Sequence, residues 1–125
     1  MNFRNLATFT ALVCCALAVI WAFAPNTLLS TWGVDFSYPV GLVGRRSAAL
    51  FAGLGIMLFQ ARLAEPSPAR SAIVAGFIVA SITLACLGIF ELTMGHARLG
   101  ILSAVAVEFG LGITFIYVAR KQSPQ

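Results

Sequence analysis

Four stretches of roughly twenty residues, nearly free of charge and closed by Arg, Lys, Pro or Gly, dominate this chain. A helix rises 1.5 Å per residue, so about 20 apolar residues cross a hydrocarbon layer of ~30 Å. Charged residues make up 10% of the 125 and apolar residues 60%. Soluble domains carry ~25% and ~45–50% respectively. So few charges cannot cover a water-facing surface of this size, and lipid is the expected solvent. The sequence predicts an all-α, integral membrane, antiparallel four-helix bundle. It forms a single domain over 1–125, with helices at about 6–24, 41–63, 69–92 and 97–119.

The first run follows Arg4 and ends at Ala22-Phe23-Ala24 before Pro25. It imitates a signal peptide, but Leu6 to Ala24 is longer than an h-region of ~7–15 residues, and Pro25 makes a poor cleavage site. An uncleaved membrane helix is expected. Trp32, Phe36 and Tyr38 in the following loop suit the headgroup layer, with a short helical turn at Thr27 to Thr31. In the second run Ser47 to Ala61 spans about 22 Å between Arg46 and Arg62, so its arginines must snorkel outward or pair. Glu65-Pro66-Ser67-Pro68 and the turn at Gly95 separate the later runs, and Gln122 to Gln125 form a tail.

The net charge is +4, yet Lys and Arg stand singly or in pairs at the ends of apolar runs. That distribution fits anionic headgroups and excludes a nucleic-acid surface. Arg4, Arg62, Arg70, Arg120 and Lys121 fall at one end of a four-helix arrangement, and Arg45, Arg46 and Arg98 at the other. The bias places both termini in the cytoplasm. Cys14, Cys15 and Cys86 all lie in apolar runs without metal-ligand spacing, so they read as small packing residues. Nucleophile elbow, phosphate loop, dinucleotide fingerprint and zinc motif are all missing from the sequence.

Inside lipid, small residues let helices approach closely. Four ridges at helical spacing offer this: Ala7-Ala11-Cys15-Ala18-Ala22, Arg45-Ala49-Gly53-Ile56-Gln60, Gly76-Ala80-Thr83-Leu87-Glu91 and Gly100-Ala104-Glu108-Gly112. They predict inward-facing polar groups, with Phe77, Ile78, Phe109 and Phe115 turned to lipid. A short motif also repeats. Gly53-Leu54-Gly55-Ile56 precedes Ala61-Arg62, and Gly110-Leu111-Gly112-Ile113 precedes Ala119-Arg120, as a duplicated helix pair would give.

Glu108 is the sharpest candidate. It lies about 15 Å from Arg98 along the fourth helix, close to the bilayer centre. A carboxylate there costs several kcal/mol unless it is protonated or paired, for example with Arg45. It can anchor a hydrophobic ligand in a small cavity, relay protons, or simply tie helices together. The second candidate is the outer end, where Asp35, Arg45, Arg46, Glu91, His96 and Arg98 gather as a ligand-binding mouth or an ion-pair collar. With one histidine, no histidine metal site is expected, and no cofactor is predicted.

Pro25…Trp32-Gly33 after the first helix, Arg45…Gly53 opening the second and Glu108 in the fourth make the chain resemble the DoxX-like group of small bacterial four-helix membrane proteins. The resemblance covers nearly the whole length. It implies a bundle in the bacterial inner membrane and makes a quinone a conceivable ligand. The lysine typical of that group after the second-helix glycines has no counterpart here. The expected role is a binding or accessory membrane subunit. Its expected partners are membrane lipids and a second membrane chain, identical or different. The alternatives are a lipid or quinone binder or minimal intramembrane enzyme using Glu108, and an oligomeric proton or small-solute pathway.

Overall fold

The computed structural model describes residues 2–122, so the tail at 123–125 lies outside the described residues. These residues form five α-helices and no strand. They are α1 (Phe3–Phe23), α2 (Pro25–Thr31), α3 (Tyr38–Ala61), α4 (Pro68–Thr93) and α5 (Leu102–Gln122). A 3₁₀ turn at Leu99–Ile101 leads into α5. Four of the helices are long and apolar enough to cross a membrane, counting Leu99–Lys121 as one.

Local chemistry sets the boundaries. Asn2 caps α1, its side-chain oxygen accepting from the Asn5 N–H at 3.0 Å. Ser37 and Ser67 do the same for α3 and α4, accepting from Val40 at 3.4 Å and Arg70 at 3.2 Å. Pro39 and Pro68 occupy the first turns, where no N–H bond is lost. The caps start α3 at Tyr38, three residues before the expected Gly41, because Pro39 begins a helix rather than preventing one. Helices α2 and α4 end in the same way. Gly33 and Gly95 adopt φ of 71° and 78°, the left-handed conformation that ends a helix at low cost to glycine. The Val34 N–H then donates to Leu29 O at 2.9 Å, and the His96 N–H to Glu91 O at 3.0 Å.

The long helices pack as two close pairs, α1 with α3 and α4 with α5. A Cβ on Gly44 would lie 2.7 Å from the Trp21 ring, and one on Gly55 would lie 2.8 Å from Cys15 Sγ. In the second pair a Cβ on Gly88 would meet Val105 at 2.6 Å, and one on Gly112 would meet Ile82 at 3.0 Å. At one end the pairs join through Phe3, Phe77 and Phe115, with ring centroids 6.4 Å (Phe3–Phe115) and 4.9 Å (Phe77–Phe115) apart. At the other end the α2 terminus docks on the segment before α5, and the Arg98 N–H donates to Trp32 O at 2.7 Å.

Two expected packing faces are corrected. Helix α3 buries Gly41, Gly44, Ala48, Gly55, Leu58 and Ala61, while Arg45, Ala49, Gly53, Ile56 and Gln60 stay exposed. Helix α4 buries Val74, Phe77, Ser81, Ala85 and Gly88 in place of the ridge through Gly76 and Thr83. Each helix carries two small-residue stripes, and the partner's shape chooses between them. Phe77 and Phe115, expected at lipid, are buried, because their rings pack with Phe3 where the two pairs meet. Phe109 is exposed as expected.

The repeated glycine motif has a structural counterpart. In both copies the first glycine, Gly53 or Gly110, has open space where a Cβ would stand, while the second packs against the partner helix. Five pairs of residues 57 positions apart are both buried: Gly44 and Ile101, Ala48 and Val105, Gly55 and Gly112, Leu58 and Phe115, Ala61 and Val118. On α1 and α4 the offset is 67, matching Ala7 with Val74, Thr10 with Phe77, Cys14 with Ser81 and Ala18 with Ala85.

Candidate functional site

Contacts along the α4–α5 seam fix the level of Glu108. With Val105 against Gly88 and Gly112 against Ile82, Glu108 stands level with Ala85, a residue of 0% exposure. Glu108 itself is half-buried. Among the described residues its side chain takes part in no ion pair and no hydrogen bond. Arg45, its expected partner, sits on the other helix pair with its guanidinium folded over Gly41. By the 57-residue offset, the position of Glu108 in the first pair belongs to Phe51, which packs against the apolar core. Packing one helix of this kind on another therefore does not require a carboxyl group there.

The outer-end residues divide into separate groups. The helix stop at Gly95 brings His96 back over the last turn of α4, and its Nδ1 lies 2.7 Å from Glu91 Oε2. The ring and carboxylate are 63% and 44% exposed, so the pair is solvated and contributes little. We expect His96→Ala to change unfolding free energy by less than ~0.5 kcal/mol, read from the thermal midpoint in detergent. A shift of several degrees would give the pair a structural role that its exposure denies.

Arg98 crosses Gly33, where an added Cβ would lie 2.4 Å from its stem. Arg98, Asp35, Asn26 and Ser30 line a shallow polar depression of about 230 Å³. Arg45 and Arg46 are exposed on α3 and line neither that depression nor the Glu91–His96 pair. The six outer-end residues therefore do not form a single mouth. Among the described residues no three His, Cys, Asp or Glu side chains converge on a metal-sized space. The thiols of Cys14, Cys15 and Cys86 are free, and only Cys14 is buried.

A larger cleft, about 500 Å³, opens at the opposite end and does not touch Glu108. The start of α1, the start of α4 and the end of α5 enclose it. Phe3, Val74, Ile78 and Phe115 form its apolar wall, and Arg70, Ser67 and Ser71 its polar side. The Arg70 guanidinium lies 3.6 Å over the Phe3 ring and donates to Ala64 O at 3.1 Å. Sequence reading took Arg70 only as a topology charge, because nothing in the sequence shows that the starts of α1 and α4 and the end of α5 meet.

No family model, curated protein or solved structure matches the chain.

Proposed function

We propose that this chain is a non-enzymatic accessory subunit of the bacterial inner membrane, an antiparallel four-helix bundle with both termini in the cytoplasm. Its function is to associate, through Glu108, with a polar group of a neighbouring membrane chain, identical or different. The order of contacts along each pair supports the antiparallel arrangement, since Gly44 meets Trp21 while Gly55 meets Cys15. Exposure supports embedding. At most 33% of any span's most apolar stretch is buried within the chain, and Leu50 and Val79 are 71% and 65% exposed. In water such a surface would aggregate, whereas in lipid it is ordinary. The five-to-three distribution of basic residues supports the orientation.

The observation that carries the reading is Glu108 itself. It is half-buried in mid-span, its side chain without a polar partner among the described residues, at a position where the equivalent pair uses phenylalanine. A carboxyl group in hydrocarbon is costly unless it gives or accepts a hydrogen bond, and a neighbouring chain supplies one.

Native mass spectrometry of protein released in mild detergent, paired with thermal unfolding, tests this. The expected result is an oligomer or complex for the wild type. Glu108→Phe should give a bare chain with a melting temperature within ~2 °C, because Phe51 already shows the aromatic fit at that position. Unchanged association in Glu108→Phe would sink the proposal. A discrete small molecule lost in Glu108→Gln would instead make the protein a hydrophobic-ligand binder.

A further inference from the structure

The cleft at the terminal end has a shape and charge that the subunit role does not use. Its polar side is formed where α4 starts, at Ser67, Arg70 and Ser71. Its apolar wall continues inward through Val74, Ala75 and Ile78. Eight residues separate Arg70 from Ile78, about 12 Å along the helix axis. Arg70 is the charged residue of the lining, and further basic residues stand at the same end of the helices. Arg4 follows Phe3, Arg120 follows the lining residue Ala119, and Arg62 lies just before Ala64, which Arg70 holds. Among the described residues at this end, Glu65 is the acidic one.

We infer that the cleft holds one acyl chain of an anionic phospholipid, with the lipid phosphate at Arg70. The inference rests on the membrane reading above, because that reading places the opening at the headgroup layer. The stacking on Phe3 and the bond to Ala64 O fix the guanidinium plane at the cleft edge. A planar guanidinium offers five N–H donors, and its preferred anionic partners are carboxylate and phosphate oxygens, bound in pairs. The Ser67 hydroxyl accepts from the Arg70 N–H and keeps its own proton to donate. Below Arg70 the cleft, about 500 Å³ in all, is walled by the apolar side chains of Phe3, Val74, Ile78 and Phe115. The surrounding cations select an anionic headgroup over a zwitterionic one.

The test uses full-length protein extracted from carbonate-washed membranes into mild detergent. It is offered equal amounts of phosphatidylglycerol and phosphatidylcholine with identical acyl chains, and retained lipid is read by native mass spectrometry. The expected result is one retained phosphatidylglycerol, preferred roughly tenfold. Arg70→Gln should bring the ratio close to one, and Arg70→Lys should restore part of the preference. Ala75→Trp fills the cleft from an exposed wall position and leaves every basic residue in place, so it should lose both lipids. Equal retention of the two lipids by the wild type would overturn the inference while leaving the membrane reading intact. So would phosphatidylglycerol retention unaffected by Ala75→Trp. Release of the protein by the carbonate wash would overturn the membrane reading, and the lipid site with it.

Discussion

Phe115→Ala will cost on the order of 3 kcal/mol and lower the melting temperature in detergent by many degrees. Phe115 is fully buried at 0% exposure and is the largest side chain so enclosed. Its ring touches Phe3 from α1 and Phe77 from α4, so one side chain ties both helix pairs at the terminal end. Removing it leaves a cavity that rigid helices cannot close. On the proposed membrane reading the loss is mostly dispersion contact, because water exclusion does not drive helix packing in lipid. The matched control is Phe109→Ala on the same helix. Phe109 is 46% exposed, and its removal should change little. Comparable melting temperatures for the two variants would show that the pairs are not joined through this cluster.

Gly100→Ala is expected to cost about 1–3 kcal/mol through overpacking, despite adding one methyl group. An added Cβ would lie 1.9 Å from Thr31 O, a backbone atom that no side-chain rotation can move aside. Relief requires separating the end of α2 from the turn before α5, where the Arg98 N–H donates to Trp32 O. The pairs would then come apart at the outer end, and the buried face of Leu29 would loosen. Gly110→Ala is the control, since open space surrounds its would-be Cβ and alanine favours helix. Equal stability of Gly100→Ala and wild type, with proteolysis unchanged around 31–34, would mean that this docking is dispensable.

The fold was legible in proportion to how locally each feature is determined. Run length and the scarcity of charge specify four long apolar helices, because hydrogen bonding within a helix needs no partner. The turns at Pro66-Ser67-Pro68 and Gly95 were legible through chemistry confined to a few residues, whereas the cap at Ser37 and the stop at Gly33 read from sequence as loop. The repeated Gly-Leu-Gly-Ile falls at positions where the first glycine is open and the second packs against a partner helix in both copies. The face each helix buries was not legible. Helix α3 offers both Gly44-Ala48-Gly55 and Ala49-Gly53, and periodicity ranks them equally. The choice fell to Trp21 and Cys15 on α1, whose bulk the glycines Gly44 and Gly55 admit.

The candidate site divides along the same line. Sequence alone marked Glu108, because a carboxyl group in a long apolar run is costly wherever the helix turns. It also marked Glu91 and His96, although their pairing needed the left-handed turn at Gly95. Only the tertiary structure separated Arg45 from Glu108 and opened a cleft beside Arg70, since both depend on which helix pairs with which. On the proposed membrane reading, the hydrophobic effect sets which segments insert as helices but does not bring them together. Steric fit between particular side chains does that, and a single sequence does not display it.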